Sequence, residues 1–228
     1  MPGPRGFATV GHRTLPLPLV GAPRVDHDAQ MNTRTVHIAA FAIVMLLWLA
    51  FFALFVFGKK PERQKSTRAD RTSIVGIILQ GLGFSAVWAL QRTPRFTSIV
   101  PLPGVLEIVP PLIAVLLSTL SVWVSMTSIK TLGKEWSLEA RLVEDHRLVT
   151  TGPYSWVRHP IYSAMLAKLI STGIVLSHWI GLVLGVVIFV IGTTIRTRSE
   201  EKLLRSQFGT AYDDYARRVP ALVPMPFR

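Results

Sequence analysis

An all-α, polytopic membrane protein is the fold class this chain predicts. Half of its 228 residues are apolar. They gather into runs of bilayer length, and no stretch alternates apolar with polar as a half-buried strand would. A helix crossing the hydrocarbon core needs about 20 predominantly apolar residues, within a range of about 17–25. Length alone would allow one or two soluble domains, but the runs overrule that reading.

In chain order, residues 1–30 come first. They hold Pro2, Pro4, Pro16, Pro18 and Pro23, show no helical period, and lack the apolar core of a secretory signal. They read either as a disordered tail or as an upstream start, with Met31 opening the working chain. Residues 31–130 carry three transmembrane helices. His37–Phe57 contains no Lys, Arg, Asp or Glu over 21 residues, and Ser73–Leu90 is the same over 18. Val105–Ile129 is longer, with Glu107 and the pair Pro110-Pro111 near its start.

Residues 131–228 form the third region. Ile161–Leu176 and Trp179–Ile195 are borderline spans of 16 and 17 residues, separated only by Ser177 and His178. They predict a tight helical hairpin whose cytosolic ends are extended by polar turns, giving about five spans in all. Beyond it, Leu204, Phe208, Ala211, Tyr212, Tyr215 and Val219 recur at three- and four-residue intervals. That spacing predicts a C-terminal amphipathic helix, interrupted at Gly209 and ended by Pro220.

Basic residues orient the chain. The loop 58–72, the segment 130–160 and the tail 196–228 together hold 18 Lys and Arg; residues 1–36 and 91–104 together hold six. The richer face is expected in the cytosol and the N-terminus outside. The formal net charge of +12 then reflects topology and attraction to anionic lipid. No soluble basic domain supports a nucleic-acid partner, and no obligate protein partner is implied. The absence of cysteine excludes disulfides and thiolate metal sites. No metal-ligand spacing and no 20–50-residue repeat is present.

The most informative segment runs from Gly152 to Tyr162, Gly-Pro-Tyr-Ser-Trp-Val-Arg-His-Pro-Ile-Tyr. Gly152-Pro153 stops any preceding helix, and Pro160 suits the first turn of the fourth span. Arg158 and His159 therefore precede a helix N-terminus at the membrane surface, where free N–H groups suit a carboxylate. Tyr154, Trp156, Arg158 and Tyr162 are also residue types that simply anchor helix ends. What favours a site is the partner beyond the hairpin. Arg196 and Glu200 share one helical face, Glu201 points roughly 100° away, and a tight hairpin returns all three beside His159. Ionisable groups at a membrane edge are functional candidates by default. Lys168, two turns into the fourth span, is expected to snorkel to the cytosolic interface or to line a lipid cavity.

These pieces resemble the isoprenylcysteine carboxyl methyltransferase and phospholipid methyltransferase superfamily. The similarity runs from Leu132 to Pro224. It includes Leu132-Gly133, Trp136-Ser137, His146-Arg-Leu-Val149, Thr151-Gly-Pro-Tyr154, Arg158-His-Pro-x-Tyr162, Arg196, Glu200-Glu201, Phe208-Gly-x-x-Tyr212-x-x-Tyr215 and Val219-Pro-x-Leu-x-Pro224. Such proteins are integral membrane enzymes using S-adenosylmethionine; the basic-residue bias would put this chain's active site on the cytosolic face. The resemblance implies that His146, Arg147, Leu148, Val149, Tyr154, His159, Pro160, Ile161, Tyr162 and Glu200 contact this cofactor. It implies that Arg196 serves the substrate side. One departure is Ser163-Ala164, where members often carry Gly; both residues are small.

Methyl transfer from a sulfonium is an in-line displacement that needs alignment more than a strong acid. A carboxylate of an isoprenylcysteine-like or lipid acceptor is already nucleophilic. An amine acceptor must first lose a proton, for which His159 or Glu201 is the candidate base. A phospholipid amine or a small thiol remains open as acceptor. Two other classes stay open as well. Membrane sterol-type reductases using NADPH share a His-Pro-x-Tyr helix start and a late acidic pair, and a non-enzymatic scaffold would need no cluster chemistry.

Overall fold

The computed structural model describes residues 27–57, 66–69, 72–133, 141–143 and 147–223. The fold is all-helical apart from one short ribbon. Helix α1 spans His27–Phe57, α2 Thr72–Ala89, α3 Val109–Leu132, α4 Pro160–Leu176, α5 Trp179–Phe208 and α6 Thr210–Arg218. Among the described residues, four helices are long and apolar enough to cross a membrane, and α4 is a shorter apolar helix of 17 residues. This agrees with about five spans, and the chain is an integral membrane protein.

Several boundaries have visible physical causes. Helix α1 begins ten residues before its apolar run, so residues 27–30 are helical while 1–26 lie outside the described residues. A 3₁₀ turn over Gly104–Ile108 leads into α3, whose first turn takes Pro110 and Pro111. There a missing N–H costs nothing. Helix α4 likewise starts on Pro160. At 30 residues, α5 measures ~45 Å, against a hydrocarbon core of ~30 Å, so its last turns project beyond the bilayer.

The sequence gives no sign of the ribbon. Strand β1, Ser66–Ala69, pairs antiparallel with β2, Arg141–Val143. It joins the α1–α2 loop to the α3–α4 segment, two of the regions expected to share the cytosolic side.

Helices α2 and α5 make the most extensive helix–helix contact, and glycine makes it possible. A Cβ at Gly83 would lie 2.7 Å from the Gly185 carbonyl oxygen, and one at Gly192 would lie 2.7 Å from that of Gly76. Both gaps are too small for a side chain. Within lipid no hydrophobic drive pulls apolar helices together, so backbone proximity through small residues supplies the attraction. Helix α3 uses the same device with hydroxyls: Ala114, Ser118, Ser121, Ser125 and Ser128 are buried at helical spacing. Ser171 of α4 donates to the Ala114 carbonyl at 2.7 Å.

Lys168 is fully buried on this α3–α4 seam. Its Nζ donates to Ser118 Oγ at 2.7 Å and lies 5.5 Å from the ring centroids of both Trp48 and Phe51. The expected snorkelling is therefore not observed. The side chain turns inward because a hydroxyl and two aromatic faces replace the water it would otherwise seek.

The α4–α5 turn is as tight as predicted. His178 caps α5 by accepting the Ile180 N–H at its Nδ1. Buried Arg92 donates to the Ser177 carbonyl at 2.6 Å and to that of Ile174 at 3.3 Å. It thereby satisfies carbonyl groups that the end of α4 leaves open.

Candidate active site where α5 returns beside the start of α4

The tight turn fixes the geometry at the other end of the hairpin. Because α4 and α5 run antiparallel, residue 159 at the start of one faces residues 196–201 near the end of the other. Glu201 accepts from Arg158 Nε at 3.0 Å and Nη2 at 2.9 Å, and lies 3.2 Å from His159 Nε2. Glu200 lies 3.4 Å from His159 Nδ1 and accepts a hydrogen bond from the Tyr162 hydroxyl. One imidazole thus bridges two carboxylates. Its ring stacks on Tyr162 at 5.7 Å and 13°.

Arg196 completes the cluster on the membrane side. Its Nη2 lies 3.6 Å from Glu200, its guanidinium lies 4.8 Å from the Tyr162 ring centroid, and its Nη1 donates to Gln80 Oε1 at 3.0 Å. Gln80 in turn donates to Thr193 at 2.9 Å. Helix α2 therefore orients the guanidinium, which the sequence did not reveal: Gln80 is one of three polar residues, with Ser73 and Ser85, in an apolar run.

Arg158 was not among the expected site residues, yet it ties together the end of the chain. It donates to the carbonyl of Ala216 at 2.9 Å and also to that of Val219. The backbone N–H groups of Arg158 and His159 donate to Pro220 and Ala221 at 2.8 and 3.0 Å. Tyr215 OH donates to the Tyr154 carbonyl at 2.6 Å. Helix α6 is therefore docked on the bundle, with Tyr212 and Tyr215 buried. Gly209, at φ +53°, provides the break that lets the chain fold back, a backbone conformation open to glycine at little cost.

These bonds also change the expected anion site. Tyr162 and Ser163 N–H donate to the His159 carbonyl, and Pro160 has no N–H. The start of α4 consequently offers fewer free donors than the sequence suggested. Ile161 is half-buried beside it. Arg147, Leu148 and Val149 run without regular structure, and among the described residues no side-chain hydrogen bond or ion pair joins them to the cluster. His146 lies outside the described residues. Glu201, roughly 100° around α5 from the Arg196–Glu200 face, meets the cluster through Arg158 and His159.

Electrostatics assign protonation states. Burial opposes charge on His159, but the hydrogen bonds it donates to Glu200 and Glu201 outweigh this and hold the imidazole pKa above its usual value. Burial, with Glu200 nearby, raises the Tyr154 hydroxyl well beyond its ordinary range. Burial likewise raises Tyr212, and it pushes Tyr215 up to about 12. Near neutral pH these three phenols are neutral donors, and His159 holds its proton more readily than a free imidazole does.

Known proteins resemble this chain over the same stretch. Residues 108–206 match the isoprenylcysteine carboxyl methyltransferase family. "Protein-S-isoprenylcysteine O-methyltransferase B" of Arabidopsis thaliana is 36% identical over 100 residues, 43% of this chain and 51% of that protein. The Schizosaccharomyces pombe "Protein-S-isoprenylcysteine O-methyltransferase" is 33% identical over 82 residues, 36% of this chain and 35% of that protein. "Nickel-cobalt-cadmium resistance protein NccN" of Alcaligenes xylosoxydans xylosoxydans is 35% identical over 95 residues, covering 41% and 44%. The matched stretch spans about half, or less, of these relatives' length. Residues 108–206, which hold Arg158, His159, Tyr162, Arg196 and both glutamates, are thus similar to the isoprenylcysteine carboxyl methyltransferase family.

Proposed function

We propose that this protein is an S-adenosylmethionine-dependent methyltransferase whose acceptor is a membrane-borne carboxylate of the isoprenylcysteine type. The observation that carries the choice of acceptor is that, among the described residues, the two candidate bases, His159 and Glu201, are already engaged. Both His159 nitrogens face carboxylates, its proton is favoured, and Glu201 is occupied by Arg158. An amine acceptor would need a group able to take its proton; a carboxylate needs only to be held.

The donor set suits the cofactor's charged amino-acid end. Glu200, the more open carboxylate at 22% exposure against 17% for Glu201, fits an ammonium. Tyr154 adds a neutral donor, and a cofactor carboxylate at His159 would have to replace one of its two glutamate contacts. The cofactor supplies an electrophilic methyl group on a sulfonium. The chain supplies position: Arg196, fixed by Gln80 and Glu200, presents a guanidinium fork from the bilayer side, where a prenylated substrate arrives. Two parallel N–H groups match a carboxylate. Buried surroundings strengthen that contact and limit competing water.

Full-length protein in detergent, given methyl-labelled S-adenosylmethionine and an N-acylated, S-prenylated cysteine, should yield a base-labile methyl ester. Label in the amine of phosphatidylethanolamine, or none in any acceptor with NADPH bound instead, would overturn the proposal.

A further inference from the structure

A cavity lies at the end of the bundle opposite the His159 cluster. Helix α4 alone, at ~25 Å, separates it from the His159 cluster. Its volume is about 550 Å³, and its walls come from the start of α1, the α2–α3 loop and the turn before α3. That volume falls within the ~300–1,000 Å³ usual for small-ligand sites. Arg34, His37, Arg95, Phe96 and Glu107 line it.

Two features indicate a formed site and not a surface crease. The loop is pinned from beneath: buried Arg92 donates to Thr97 Oγ1 at 3.2 Å and to the Thr97 carbonyl at 2.6 Å. Phe96 is held at φ +59° and packs edge-on against Phe41 at 5.5 Å. A bulky residue at positive φ persists only where its surroundings over-determine it, and such positions cluster at ligand sites. The second feature is His37. It is 5% exposed, it lines the cavity, and among the described residues its Nε2 has no hydrogen-bond partner. A buried polar atom without a partner is costly unless a ligand supplies one.

The charges specify the ligand. Two guanidinium groups and an imidazole nitrogen suit a phosphate diester, and the single carboxylate of Glu107 suits a cation attached to it. Beside Glu107, Val105 and Leu106 are 74% and 49% exposed, an apolar flank on which acyl chains can lie. We propose that this cavity binds the headgroup of an aminophospholipid, with phosphate on Arg34, Arg95 and His37 and ammonium on Glu107.

Native mass spectrometry of the full chain, delipidated and then offered equal phosphatidylethanolamine and phosphatidylglycerol, tests this. The wild type should retain one phosphatidylethanolamine in preference. Arg34→Gln with Arg95→Gln should cut retention at least tenfold. Glu107→Gln should keep a phospholipid but erase the preference between the two. Both arginines are exposed, and Arg34→Gln alone reads the same effect if the double variant does not fold. Equal retention by wild type and arginine variants would overturn the proposal, as would a wild type with no preference. Phosphoethanolamine that binds while neither lipid is retained would assign the cavity to a soluble headgroup and also overturn it.

Discussion

His159 has a pH signature with a definite sign. Its folded pKa is raised, so the folded state binds the proton more tightly than the unfolded chain does. The resulting stability is fully present below the unfolded imidazole's pKa, about 6.5. It is lost as pH rises through the higher folded value. Melting temperatures of wild type and His159→Gln should therefore differ most near pH 5.5 and converge as pH rises; a gap that widens with pH would contradict this. Arg196 gives a second single-residue prediction. Arg196→Lys keeps the charge but loses the fork that reaches Gln80 and a substrate carboxylate together. Acceptor KM should rise, or kcat fall, by about tenfold to a hundredfold, the equivalent of a charged hydrogen bond of about 1.5–3 kcal/mol. Cofactor affinity should hardly change. If calorimetry shows equal loss of cofactor binding, Arg196 belongs to the cofactor pocket or to a structural pair with Glu200.

The α2–α5 crossing connects helix packing to the site. A Cβ at Gly76 would meet Arg196 Cγ and lie 2.6 Å from the Gly192 carbonyl oxygen, whereas one at Gly81 would meet nothing within 4 Å. Gly76→Ala should therefore cost about 1–3 kcal/mol through overpacking and lower activity by displacing Arg196. Gly81→Ala, in the same helix, should be neutral or stabilise by up to about 1 kcal/mol. Thermal melting of the two variants in one detergent compares them directly, and equal behaviour would remove α2 from any role in placing Arg196. Sequence periodicity revealed the helices but not this crossing, because glycine carries no hydropathy signal. Gln80 is silent in the sequence for another reason: its meaning lies in Thr193 and Arg196, more than 100 residues away. Arg196, Glu200 and His159 were legible because a two-residue turn leaves little choice about what lies opposite the start of α4. Arg158 was not, since its role depends on the chain returning after Gly209 to lay Val219–Ala221 beside it.

At the scale of the whole molecule, apolar run lengths were enough to read the bundle, while the ribbon and the inward turn of Lys168 depended on contacts between distant segments. Orientation is the property that charge alone decides, and it determines which solution each site meets. The His159 cluster lies at the end of the bundle where α1, α3 and α5 finish, and the segments that adjoin those ends in sequence, 58–72, 130–160 and 196–228, hold 18 of the 25 Lys and Arg residues. The headgroup cavity lies at the end with six. Lys and Arg near span ends are retained on the cytosolic side, and the inner leaflet's anionic lipid reinforces that bias by about 1 kcal/mol for each basic residue near the surface. The N-terminus should thus be outside and the C-terminus in the cytosol, where S-adenosylmethionine is made and where α5 projects beyond the bilayer. Reporter fusions placed after Lys65, Pro101 and Arg228 should read inside, outside and inside. An external reading at Arg228 would put the cluster on the wrong side for a cytosolic cofactor and would sink both the orientation and the proposed reaction. An inside reading at Pro101 would instead break the five-span count, since α2 could no longer cross.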